Sequence, residues 1–85
     1  MDEKQETITE ILRLCAEIDA AFRHSHTEGE AVRRHAGNHL RHIGQALIDE
    51  GGIELLRAVE RRVVGKPNAH YLQAVWDELA KEIVA

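Results

Sequence analysis

Residues 28–64 read EGEAVRRHAGNHLRHIGQALIDEGGIELLRAVERRVV, and the glycine pair Gly51-Gly52 inside them decides how many helices the chain holds. Before the pair, Val32, Ala36, Leu40, Ile43 and Leu47 recur at the three-and-four spacing of one helical face. After it, Leu55, Leu56, Val59 and Val63 do the same. Glycine accepts the left-handed conformation that closes a helix, so the pair reads as a stop between a helix over 28–50 and a short one over 53–64. Thr27 and Glu30 have the spacing of a capping box, which places the start of the longer helix there. From Glu28 to Glu50 it would be about 34 Å long at 1.5 Å per residue. Gly37 and Gly44 share one side of it, a side that admits a neighbouring helix closely or marks a bend. Across the turn, Glu50 can pair with Arg57.

The pattern extends outward in both directions. Upstream, Ile8, Ile11, Leu12, Cys15, Ile18 and Phe22 form the stripe of a core-facing helix over 5–23. Thr7 and Glu10 offer a capping box for it, and Asp2 offers an earlier start. His24-Ser25-His26-Thr27 then breaks the pattern. Downstream, Gly65-Lys66-Pro67 is a stop, Asn68 can cap, and Leu72, Val75, Trp76, Leu79 and Ile83 stripe a last helix over 69–84. Trp76 is the largest core contributor, burying up to ~250 Å². Strand-like alternation is absent. The connections are short, so successive helices should be neighbours in space. The expected fold is all-α: one compact four-helix domain over 1–85, an antiparallel or orthogonal bundle.

Eighty-five residues fit a single domain. A chain this short has a thin stability margin, which disulfides, a metal or a partner subunit commonly supplement. Cys15 is the only cysteine, so an internal disulfide and a cysteine-based zinc framework are both excluded. A lone thiol suits a reducing compartment, where it acts as a small buried hydrophobe. The formal net charge of −4 gives no global attraction to nucleic acid or anionic lipid. MDEKQE lacks the basic and apolar regions of a secretory signal, and no apolar run approaches the ~18 residues of a membrane span. The expected location is cytoplasmic, with no membrane partner.

The densest chemical signal is histidine. Five of the six lie between positions 24 and 42, and His35, His39 and His42 fall within an arc of about 60° on one helix. Glu28 lies one heptad before His35, and Asp49 one heptad after His42. Imidazoles at i, i+4 can hold zinc, nickel or copper. One straight helix cannot bring all three rings to one ion, because His35 and His42 stand some 10 Å apart along the axis. A metal site would use His35 with His39, or His39 with His42. His24, His26, His70 or a second chain would then supply further ligands. The competing readings are histidines bordering a helix or dimer interface, solvated polar residues, and a pH-sensitive cluster. Neither the HExxH metalloprotease motif nor the Glu-x-x-His element of di-iron bundles is present.

Other signals are weaker. Residues 45–64 could be drawn as a helix-turn-helix, but IELLRAVERRVV offers two glutamates and no Asn, Gln, Ser or Thr to base edges. Nucleic-acid binding is accordingly disfavoured. Cys15 lies on an apolar stripe, where thiols are inert, and Ser25 between two histidines is not a triad geometry. No phosphate-cradling glycine loop appears, so catalysis is not expected.

Ile43-Gly44-Gln45-Ala46-Leu47, Gly51-Gly52, Leu55-Leu56-Arg57-Ala58-Val59 and Leu72 to Trp76-Asp77 resemble a group of short uncharacterised bacterial all-α proteins. Their shared pattern is IGxxL…GG…L…V…LxxxWD, and the likeness covers the C-terminal half. It implies bacterial origin and a small helical fold, and carries over no functional residue. The functional expectation from the residues is a non-enzymatic interaction module, homodimeric or bound to another protein, with a histidine-face metal site as the alternative.

Overall fold

The computed structural model describes residues 3–84, which form three α-helices and no strand. They are α1 (Glu3–His24), α2 (His26–Val63) and α3 (Ala69–Val84). The expected helices over 28–50 and 53–64 are a single element, so the helix count is three rather than four. The physical reason is the economy of the break. Only Gly52 leaves helical geometry, at φ 76° and ψ −175°, a conformation that essentially only glycine adopts. One such residue redirects the chain without any intervening loop. A straight 38-residue helix would run about 57 Å at 1.5 Å per residue. The longest dimension of the molecule is 37 Å, so α2 is folded into a long arm before Gly52 and a short arm after it.

The start of α2 also differs from the capping-box expectation at Thr27. Ser25 is the N-cap: its backbone is extended and its hydroxyl accepts from the Glu28 N–H at 3.0 Å. Ser25 donates its own N–H to the Ala21 carbonyl at 3.0 Å, so this one residue both closes α1 and opens α2. Ser25 and Glu28 have the capping-box spacing two residues upstream of Thr27 and Glu30, and a one-residue junction left Thr27 already helical. Thr7 is likewise inside α1 rather than capping it, and the alternative cap Asp2 lies outside the described residues. The Gly65-Lys66-Pro67 stop falls where expected. Gly65 takes φ 93°, and Asn68 takes φ 67° and accepts the Tyr71 N–H on its carbonyl at 3.2 Å.

Lys4 bonds Glu50 at 2.9 Å, so α1 runs antiparallel to the long arm of α2. The short arm brings the chain back, which lets α3 lie along the long arm in the same direction. Arg57 on the short arm bonds both Glu60 at 2.9 Å and Asp77 of α3 at 3.2 Å. The expected Glu50–Arg57 pair therefore does not form; Lys4 and Asp77 take those roles from other helices.

The core is aliphatic apart from Trp76 and Cys15, and it buries no polar or charged residue among those described. Ile8, Ile11, Cys15, Ile18, Ala36, Leu40, Leu47, Leu56, Val59, Val63, Leu72, Trp76 and Leu79 are buried as the stripes predict. Leu14 joins them because α1 packs against both other helices and buries a broader arc than one stripe. Ile83 does not: it is 43% exposed, and Ala80 is buried in the last turns of α3 instead. Gly44 marks a close approach between the long arm of α2 and α3. A Cβ there would meet Trp76 Nε1 at 2.8 Å and Leu79 Cδ2 at 2.9 Å. That proximity lets the fully buried indole donate to the Leu40 carbonyl at 2.9 Å. Helical carbonyls carry a second lone pair, so the indole N–H is satisfied without breaking the helix. Gly44, Leu47, Leu56, Leu72 and Trp76 are thus packing points. Among the described residues, no helix is long and apolar enough to cross a membrane.

Candidate functional site

The long arm of α2 presents its core stripe inward to α1 and α3, and this sets what its remaining face can do. His35, His39 and His42 stand exposed on that face and line one shallow depression together with Asn38. The row inferred from spacing is therefore a physical row. The additional histidines are elsewhere. His24 pairs with Glu28 at 2.8 Å and His26 lies 3.9 Å from Glu30, both at the α1–α2 junction. His70 packs its ring on Tyr71 at 4.1 Å between centroids, at the start of α3. All six imidazoles are exposed.

The carboxylates expected near the row are engaged otherwise: Glu28 with His24, and Asp49 as acceptor from Gln45 at 3.0 Å. Among the described residues, no group of three or more His, Cys, Asp or Glu side chains is gathered for one metal ion. His24, His26 and His70, expected as further ligands, lie at other places in the fold and do not line the depression of His35, His39 and His42.

Two grooves flank the face. On one side, α1 and the long arm enclose a groove over Ile43, Ala46 and Leu47, with His39, Lys4, Glu10 and Glu50 along its edges. Glu10 is held below the ordinary glutamate range chiefly by its hydrogen bond from Arg13, at 3.0 Å from Nε, with His39 adding a smaller electrostatic pull. Sequence spacing could not show this proximity, because it depends on how α1 pairs with α2. On the other side, α3 and the long arm enclose a second groove of about 340 Å³ containing Arg33, Arg34, Arg41, His70 and Tyr71. The arginines of the long arm lie far in sequence from His70 and Tyr71; the parallel course of α3 brings them together.

Cys15 is fully buried, and burial pushes its thiol up from its ordinary pKa against a smaller opposing backbone hydrogen bond at Leu72. A neutral, sealed thiol is a poor nucleophile and a poor ligand. The chain matches no protein-family profile, no curated protein and no solved structure.

Proposed function

We propose that this chain is a non-enzymatic helical interaction module that forms a homodimer through the outer face of the long arm of α2. The observation that carries this reading is the outward placement of every imidazole against the complete burial of the only thiol. The imidazoles stand on open helix surface, and an apolar strip, the Ile43–Ala46–Leu47 groove, lies beside them. Its edges carry Lys4 and His39 among Glu6, Glu10 and Glu50, with Lys4 bonded to Glu50 of the same chain. Nucleic acid stays outside the reading: Arg57 is committed to Glu60 and Asp77, and Arg62 donates to Gln5 at 3.3 Å.

Sedimentation velocity from low to high micromolar concentration tests the proposal. A dimer should appear and be lost on Ala46→Arg, which keeps helix propensity and places a charge in the strip. A monomer over the whole range overturns it.

A second reading follows from the depression that His35, Asn38, His39 and His42 share. Two copies facing each other could supply two imidazoles each and hold a transition metal such as zinc with four nitrogen ligands. Zinc should then raise the dimer fraction and the melting temperature, and His39→Ala should remove both effects. A chain indifferent to zinc, nickel and copper excludes it.

A further inference from the structure

We propose that the groove between the long arm of α2 and α3 is a binding site for a small organic phosphate monoester. Three arginines, Arg33, Arg34 and Arg41, line it against a single carboxylate, Glu78, in a chain whose net charge is −4. Arg33 and Arg41 each have a carboxylate partner, so Arg34 is the groove arginine not held in an ion pair. Guanidinium groups present planar forks of N–H donors matched to phosphate oxygens.

The partners of those arginines show which donors are free for a ligand. Arg33 is held by Glu30 at 2.7 Å and Arg41 by Glu82, and neither carboxylate lines the groove. These ion pairs fix the two side chains from outside, leaving their remaining N–H groups for the groove. Arg34 is exposed and makes no hydrogen bond or ion pair among the described residues. It is the arginine whose donors a phosphate can take without breaking an existing contact. His70 adds a ring donor at the same rim.

The interior of the groove suits an apolar body attached to the anionic head. Tyr71 forms one wall and is held in place by stacking on Phe22, with planes 2° apart and centroids at 6.2 Å. Val75 and Ala74 continue that wall, and Gly37 keeps the opposite side open, since a Cβ there would reach only Val75 Cγ2 at 3.8 Å. A volume of about 340 Å³ lies at the small end of ligand sites, enough for one ring with its phosphate and too small for a nucleic-acid duplex. The site shares no lining residue with the Ile43–Ala46–Leu47 groove and meets the histidine depression only at Asn38.

The test is a titration of the full chain with phenyl phosphate, followed by backbone amide chemical shifts. Saturable shifts should centre on Arg34, Gly37 and Val75. Inorganic phosphate and phenol, each carrying half of the ligand, should bind about tenfold more weakly or worse. Arg34→Gln should weaken phenyl phosphate about tenfold, the loss of one charge-assisted contact. Gly37→Leu should block the groove while the helical circular dichroism stays intact. Arg61→Gln, an exposed arginine on the short arm, should leave affinity unchanged. Absence of saturable shifts overturns the site, as does an Arg61→Gln effect equal to that of Arg34→Gln. Equal affinity for inorganic phosphate overturns the choice of an organic monoester.

Discussion

Gly37 and Gly44 lie two turns apart on the same arm of α2 and look toward the same helix, yet their surroundings are opposite. At Gly44 the missing side chain is occupied by Trp76 and Leu79; at Gly37 the nearest atom, on Val75, stands at ordinary contact distance. One glycine permits a helix–helix contact and the other leaves a groove. Identical residues at heptad spacing thus report nothing about closeness by themselves. What distinguishes them is the side chain α3 sets opposite: a large indole anchored by a hydrogen bond in one case, a half-buried valine in the other.

The sharpest way to break this comparison is Gly44→Ala. The added carbon forces the indole and Leu79 apart, and overpacking of this kind costs about 1–3 kcal/mol, outweighing the gain in helix propensity. Urea denaturation should show that loss, and part of it should vanish in a Trp76→Phe background, where the clashing nitrogen is gone and the Leu79 contact remains. No dependence on Trp76 would mean the contact is not what excludes a side chain at Gly44.

Gly52→Ala should come next. It imposes about 1–3 kcal/mol of backbone strain with nothing within 4 Å to clash, so the cost is conformational alone. If the variant is as stable as the parent, the bend does not rest on that residue. Gly37→Ala should move the other way and stabilise by up to ~1 kcal/mol, since helical geometry and space both accept it. A loss of stability there would erase the distinction between the two glycines.

The smallest effect concerns charge. Glu30, outside the groove, is held below the ordinary glutamate range chiefly by the hydrogen bond from Arg33. Its stabilising contribution is present above the unfolded value and is lost as pH falls through the lower folded value. Acidification should therefore release the Arg33 side chain, seen in its guanidinium resonances, before the Trp76 indole N–H shifts. Simultaneous change at both would show that groove and core open together.

The sequence made the stripes legible because burial follows helical periodicity, and Ile11, Cys15, Leu40, Leu56 and Leu72 could be named from it. Leu14 could not, since the width of a buried arc depends on how many neighbours a helix has. The Gly51-Gly52 break was legible as a break; its length was not, because one residue at positive φ and a true loop present the same letters. The histidine row was readable from spacing, whereas the neighbourhood of Glu10 and His39 required the pairing of α1 with α2. The arginine groove was invisible for the same reason: Arg34 and His70 meet only through the direction in which α3 returns.

Cys15 has a consequence outside packing and binding. A thiol at the contact of α1 with Leu72 of α3, wholly shielded from water, reacts with an exogenous disulfide only in molecules whose helices have separated. With one cysteine in the chain, each labelling event counts one such opening. The ratio of the labelling rate to that of an unhindered thiol gives the population of the opened form in the absence of denaturant. Susceptibility to oxidation then tracks conformational fluctuation, so any substitution that loosens the helices also makes the protein age faster in an oxidant.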